Sequence, residues 1–179
     1  MEKMLKKPDY AKEILAIMHG SFSKEEMLDR IADYHENDIA DVLPLIDKET
    51  RERLYRILGV ERLSEVFTYI DDVSEYLDEL PLEEAADVLE NMDADDAVDA
   101  LEDIENEDQR QQLMSMMDDE SSEDIRLIKS FDSDEIGSIM TTNYVSIPET
   151  YTIKEAMRSV VRQAHENDNI NTIYIEDSH

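Results

Sequence analysis

One short stretch of the chain, MDADDAVDALEDIENED at residues 92–108, carries many side-chain carboxylates within a few turns of a predicted helix. Its apolar residues recur at helical spacing and predict a buried stripe of Ala97, Val98, Leu101 and Ile104. Three aspartates then lie at i, i+4 and i+8 on the opposite face, Asp95, Asp99 and Asp103, with Asp96 and Glu102 beside them. Like charges at this spacing destabilise a helix by about a few tenths of a kcal/mol per pair. Water and salt, a partner, or a cation must therefore offset the repulsion.

The chemistry open to these residues is that of hard oxygen ligands, which suit Mg²⁺ or Ca²⁺ better than Zn²⁺ or copper. The chain has no Cys, which excludes thiol catalysis and thiolate metal sites, and it has only four His. An EF-hand reading of residues 132–143 fails, because Ile136 and Asn143 stand at loop positions 5 and 12, where carboxylates are needed. With three glycines and no Gly-x-Ser-x-Gly, neither a phosphate-binding loop nor a serine hydrolase is indicated. A hydrolase with paired carboxylates stays open as a weak alternative.

The charge is concentrated in the middle of the 179-residue chain. The net charge is −30, and residues 63–140 contribute 3 basic and 27 acidic side chains. We expect the acidic side chains there, Glu65, Asp71, Asp72 and Glu79 among them, to form an acidic surface. Such a surface repels nucleic acid, which needs a basic footprint, and attracts cations and basic partners.

Residues up to 140 predict a run of short amphipathic helices, with Pro81 near one start and Gly59 just past one end. The predicted ranges are 8–18, 23–33, 35–43, 47–58, 60–70, 72–79, 81–91, 93–104, 107–117, 121–130 and 132–140. Three segments align without gaps: NDIADVLPLI (37–46), EEAADVLENM (83–92) and DDAVDALEDI (95–104). Repeated short helices that cannot bury a face alone tend to stack into a superhelix, whose hand this pattern leaves open.

The last forty residues predict a different secondary structure, with strands as well as a helix. NYVSIPE (143–149) and NTIYIED (171–177) predict strands, and TIKEAMRSVVRQAH (152–165) predicts an amphipathic helix between them. A lone strand–helix–strand buries little core and leaves bare edges, so we expect either a fragment or completion by another copy. The N-terminus has no signal-peptide pattern and no run is long enough to cross a membrane, so we expect the chain as given to be soluble.

Two long segments resemble the cytosolic part of MgtE-family magnesium transporters. They are LSEVFTYIDDVSEYLDELPLEEAADVLENMDADDAVDALEDI (63–104) and LIKSFDSDEIGSIMTTNYVSIPETYTIKEAMRSV (127–160). The resemblance implies a mainly α fold, a right-handed superhelix of short helices over residues 1–138. The beginning of a first CBS domain, an incomplete α/β unit, would follow over residues 139–179.

The resemblance also implies a function. In this family the cytosolic part senses intracellular Mg²⁺, which bridges the acidic face of the N-terminal domain to acidic residues of the CBS region and closes the pore at high magnesium. Alignment with the family places metal ligands at Glu65, Asp95 and Asp99, with Asp96 and Asp103 as neighbours by geometry only. The implied partners are the rest of the CBS pair, the transmembrane pore domain and a second copy in a homodimer, at the cytoplasmic face of the membrane. Nucleic-acid binding, insertion of this segment into the membrane, and enzymatic activity are not expected.

A second interpretation belongs to a different class of protein. The superhelix is also similar to part of the flagellar motor switch protein FliG, so the chain could be an acidic helical-repeat scaffold for a protein partner. That scaffold would ignore Mg²⁺ beyond ordinary ionic screening.

Overall fold

A computed structural model describes residues 9–131, 134–139, 144–164 and 172–177 of the chain. Backbone contacts divide the chain into two compact units, Met1–Met92 with Asp96–Ser122, and Asp93–Asp95 with Glu123–His179. The predicted domain boundary at residue 138 stays a prediction. Among the described residues, none of the helices combines the length and apolar character that crossing a bilayer requires.

The first unit is built from short helices, as the sequence predicts. They are α1 (Tyr10–Met18), α2 (Lys24–Ile31), α3 (Glu36–Ala40), a 3-10 turn (Leu43–Leu45), α4 (Lys48–Phe67), α5 (Ser74–Leu77), α6 (Leu82–Glu90), α7 (Ala94–Asp103) and α8 (Glu107–Met116). The helix predicted over 35–43 is divided, because Pro44 lies at the start of the 3-10 turn and has no N–H to continue an α-helix. Side-chain caps fix several starts: Ser23 and Glu26 form a reciprocal capping box at α2, and Asp47 accepts a hydrogen bond from Thr50 N at 2.9 Å.

The segment α4 contains a sharp break at Gly59. Its φ is +75° and its ψ is 172°, a conformation that is available essentially to glycine alone. A Cβ built there would meet nothing within 4 Å, so the backbone angle and not crowding requires glycine. Two predicted helices, 47–58 and 60–70, thus lie on either side of the break.

The core of the first unit is organised around α4, which packs against α2, α3 and α6, while α6 also contacts α8. Tyr55 and Phe67, both fully buried, meet edge to face with ring centroids 5.8 Å apart. The three aligned segments bury the same four apolar positions. These are Ile39, Ala40, Val42 and Leu43 in the first, Ala85, Ala86, Val88 and Leu89 in the second, and Ala97, Val98, Ala100 and Leu101 in the third. The internal similarity therefore reflects a repeated packing solution.

One carboxylate that the sequence assigns to the acidic surface is inside the protein. The Glu79 side chain is 6% exposed and pairs with Arg51, which is 11% exposed, at 2.5 Å between Oε1 and Nη2. Tyr55 donates its hydroxyl proton to Glu79 Oε2 at 3.0 Å, and Arg51 Nη1 donates to the carbonyl of Ile46 at 2.8 Å. Glu79 therefore belongs to a buried polar network. The expectation that it lies on the acidic surface is wrong, because Arg51 compensates its charge in the interior.

The second unit contains a small parallel sheet. Strand β1 (Val145–Pro148) pairs with β2 (Ile173–Glu176), with Val145 opposite Ile173, and α10 (Ile153–Gln163) packs against β1. The Gln163 amide joins helix to strand, donating to the carbonyl of Ser146 at 2.9 Å and accepting from its N–H at 3.2 Å. The predicted strand–helix–strand is confirmed.

The amphipathic face predicted for α10 is only partly covered. Ile153 is 86% exposed, and Met157 and Val161 are also exposed, while Ala156 and Val160 are half-buried. An open apolar groove is lined by Ile153, Met157 and Val161, together with Lys154 and Arg158.

The helix α9 (Asp119–Ile128) begins two residues before its predicted start. The prediction of a helix over 132–140 is wrong within the described residues, where Ile136–Ile139 form a 3-10 turn. Gly137 explains part of the difference, because glycine weakens a helix. Met140 and Thr141, assigned to the turn that resembles the family, lie outside the described residues.

Candidate functional site

The helix α7 presents its carboxylates because its other face is anchored in the core. Ala97, Val98, Leu101 and Ile104 are all buried, which confirms the predicted stripe. Asp99 is exposed, while Asp95 and Asp103 are half-buried. The predicted face is therefore not uniformly solvated, and its two outer aspartates meet protein as well as water.

Three aspartates at the start of α7 form a compact local group, called here the aspartate triplet: Asp93, Asp95 and Asp96. One carboxylate oxygen from each lies within 4.8 Å of the others, inside four consecutive residues. The Oδ1 atom of Asp95 is buried and has no hydrogen-bond partner among the described residues. A buried carboxylate oxygen without a donor is costly, and a bound cation would supply the missing interaction.

A second group of carboxylates surrounds a cavity of about 220 Å³, called here the α7 cavity. Its acidic lining comes from Asp96, Asp99 and Asp103 of α7 and from Asp71, which precedes α5. The other lining residues are apolar or neutral, namely Phe67, Thr68, Ile70, Val73, Met92 and Ala100. Four acidic residues thus line one small cavity, and none of its described lining residues is positively charged.

Asp103 differs from the other acidic residues of the α7 cavity. Its Oδ2 accepts a hydrogen bond from the backbone N–H of Val73 at 3.3 Å. Burial raises the pKa of Asp103, and the charges of Asp72 and Glu102 raise it further against the lowering effect of the Val73 hydrogen bond. A cation in the cavity would favour the ionised form and so oppose this shift.

Glu65 lies elsewhere, on the part of α4 that follows the Gly59 break. It is exposed and lines an open groove of about 610 Å³, called here the α4 groove, together with Glu36, Glu61, Arg62 and Asn91. Arg62 is engaged locally, because it donates to Glu36 Oε1 at 3.2 Å and to the carbonyl of Tyr34 at 2.6 Å. Arg62 therefore connects the α4 groove to Glu36 and to the backbone of Tyr34.

The three residues assigned as metal ligands thus occupy three settings: the α4 groove for Glu65, the aspartate triplet for Asp95 and the α7 cavity for Asp99. Their role as ligands stays a prediction. Reasoning from spacing did not find Asp71 as a neighbour of Asp99, since a different part of the chain supplies it. The donor set in the triplet and the cavity consists of carboxylate oxygens, which fits Mg²⁺ or Ca²⁺ and not a thiolate- or imidazole-bound metal.

Comparison with known proteins places these sites in a family context. Residues 34–134 match the family model of the MgtE intracellular N domain. A magnesium transporter MgtE of Enterococcus faecalis is 40% identical over 136 residues, which is 74% of this chain and 30% of that protein. A magnesium transporter MgtE of Thermus thermophilus is 30% identical over 67 residues, or 37% of this chain and 15% of that protein. The chain thus spans less than a third of the curated relatives it matches.

Solved structures agree on the architecture. The crystal structure of the soluble part of a magnesium transporter superposes with a TM-score of 0.82 at 25% identity, covering 95% of this chain and 67% of that one. The cytosolic domain of the Mg²⁺ channel MgtE, crystallised in complex with ATP, gives a TM-score of 0.76 at 26% identity, covering 87% and 64%. The mainly helical fold that the sequence predicts, with its small C-terminal sheet, is confirmed.

Proposed function

Because this chain belongs to the MgtE intracellular N domain family, we propose that it is the magnesium-sensing regulatory region of a Mg²⁺ transporter. The family consists of transporter domains and not of enzymes, which agrees with the expectation that the chain has no catalytic activity.

The observation that carries the proposal is the buried Asp95 Oδ1, which has no hydrogen-bond partner among the described residues and lies in a group of three carboxylates. Asp99 adds a second acidic setting in the α7 cavity, and Glu65 adds a third in the α4 groove. When bound, Mg²⁺ would supply the positive charge that offsets these carboxylates. Glu65, Asp95 and Asp99 would hold it by their carboxylates.

The chain's own electrostatics explain how such residues could regulate a pore. Residues 63–140 carry a net charge of −24, so their carboxylates repel one another and any acidic surface brought near them. Neutralising them favours closely packed domains, and leaving them charged favours separation. In the proposed transporter, the facing acidic surface belongs to the remaining CBS region, the pore closes when the surfaces meet, and the assembly is a homodimer at the cytoplasmic face of the membrane.

The test is limited proteolysis during a Mg²⁺ titration of the protein extended through the whole CBS pair, with NaCl matched for ionic strength. We expect protection at low-millimolar Mg²⁺ that matched NaCl does not give, and loss of this protection in the double variant Asp95→Asn, Asp99→Asn. The control is Asp29→Asn, Asp33→Asn, which removes two acidic residues at the same i, i+4 spacing from α2 and the turn that follows it. That control should respond to Mg²⁺ as the wild type does.

Identical digestion in Mg²⁺ and in matched NaCl would contradict the sensor and favour the acidic scaffold. Equal loss of protection in both double variants would show that total charge matters and that Asp95 and Asp99 are not specific ligands.

A further inference from the structure

The hydrogen bond between Asp103 and Val73 links two elements of the first unit. Asp103 is the last residue of α7, and Val73 immediately precedes α5. The backbone N–H of Val73 donates to Asp103 Oδ2 at 3.3 Å, and the Val73 side chain is buried. The carboxylate therefore acts as an anchor between the end of α7 and the start of α5.

The short helix α5 is held in place by side-chain interactions near both of its ends. At its start, Asp72 Oδ1 accepts hydrogen bonds from the N–H and the hydroxyl of Ser74, at 3.1 and 2.6 Å. Just beyond its end, Glu79 is held by the buried Arg51 at 2.5 Å. With only four helical residues, α5 depends on these attachments, and they fix the position of the Val73 N–H.

The Asp103–Val73 hydrogen bond affects the carboxylates that line the α7 cavity, because it holds the helix that carries three of them. Asp99 and Asp103 are one helical turn apart and line this cavity with Asp71 and Asp96. Mutual repulsion among four carboxylates pushes α7 away from the segment that carries Asp71. The Asp103–Val73 hydrogen bond joins those same two parts of the chain and so opposes this displacement.

We propose that Asp103 is a positioning residue for cation binding at Asp99, because it holds α7 against the start of α5 through the hydrogen bond from the Val73 N–H. This inference rests on the proposed function. Partners that orient metal ligands typically contribute about 10–100-fold to metal affinity.

The side-chain chemistry of asparagine separates positioning from charge. Asp103→Asn removes the negative charge and keeps an oxygen that can accept the Val73 hydrogen bond. Asp103→Ala removes both. Glu105→Ala is the control, because Glu105 is exposed, lies two residues away and does not line the cavity.

The experiment is a Mg²⁺ titration of the same CBS-extended protein and of these variants in it, read by protection from proteolysis with matched NaCl. We expect the Mg²⁺ midpoint to rise about 10-fold in Asp103→Ala and clearly less in Asp103→Asn, which loses the charge but keeps the hydrogen-bond acceptor. The midpoint of Glu105→Ala should equal that of the wild type. A wild-type midpoint in Asp103→Ala would overturn the inference, and so would equal losses in Asp103→Ala and Asp103→Asn. A wild type that ignores Mg²⁺ would instead reject the proposed function on which the inference rests.

Hydrogen exchange at the Val73 amide gives a second measurement that needs no Mg²⁺ and keeps the test decisive if Asp103→Ala fails to fold. The amide should be protected in the wild type and remain protected in Asp103→Asn. Free exchange in the wild type, or loss of protection in Asp103→Asn, would overturn the anchoring role.

Discussion

Replacing Glu79 by Gln tests the buried polar network most directly. The change leaves Arg51 with its charge and without its buried ionic partner, since the two side chains are only 11% and 6% exposed. The acidic neighbour that remains, Glu75 at 3.8 Å, is 78% exposed. Breaking a buried pair by removing one partner costs about 3–5 kcal/mol, because the remaining charge is desolvated and unpaired. For a chain of 179 residues, this loss corresponds to a decrease in Tm of about 6–20 °C.

The pH dependence of the stability tests the same ion pair in a second way. Burial raises the pKa of Glu79, but hydrogen bonds from Arg51 and Tyr55 and the charges of Arg51 and Lys48 together outweigh it, so the folded pKa lies below the ordinary value of 4.5. A lowered folded pKa means that the stabilisation is fully present above the unfolded pKa and is lost as pH falls through the folded pKa. The difference between wild type and Glu79→Gln should therefore be largest at neutral pH and shrink below pH 4.5.

The assay is urea unfolding followed by far-ultraviolet circular dichroism at several pH values. Glu75→Gln is the matched control, since its carboxylate lies 3.8 Å from the same Arg51 but is 78% exposed. An exposed ion pair contributes about 0–1 kcal/mol, so this variant should unfold almost as the wild type does. A loss below about 1 kcal/mol in Glu79→Gln, matching that of an exposed pair, or a difference unchanged by pH, would refute the reasoning.

Two further substitutions test the packing and the backbone of the first unit. Leu101→Ala should lower the free energy of unfolding by about 2–5 kcal/mol, because the side chain is 1% exposed in the stripe of α7; a near-neutral effect in urea unfolding would show that α7 does not pack there. Gly59→Ala should cost about 1–3 kcal/mol through its φ of +75° alone, and wild-type stability would mean that the break does not persist in solution.

The sequence predicts most of the helices because the information they need is local. In α7 the apolar stripe repeats at helical spacing, and the structure buries Ala97, Val98 and Leu101. At Gly59 a single residue type marks the break, since its backbone angles suit glycine alone. These features can be read along the chain without knowledge of what packs against them.

The parts that the sequence does not predict depend on contacts between distant residues. Asp71 joins Asp99 at the α7 cavity from a different part of the chain, and no spacing rule relates the two. Glu79 looks like one more surface carboxylate until Arg51, 28 residues earlier, is seen to bond with it. Charged residues in so acidic a chain give no local sign of which few are paired inside.

The break at Gly59 also bears on how the two halves of α4 are oriented. In a continuous helix, each inserted residue rotates everything beyond it by about 100°, which would turn a buried face toward water. Here the backbone leaves helical geometry at Gly59, and the space where its Cβ would stand is open. The two halves of α4 therefore do not share one helical phase, so the direction in which Glu65 points is not fixed by the helix that precedes the break.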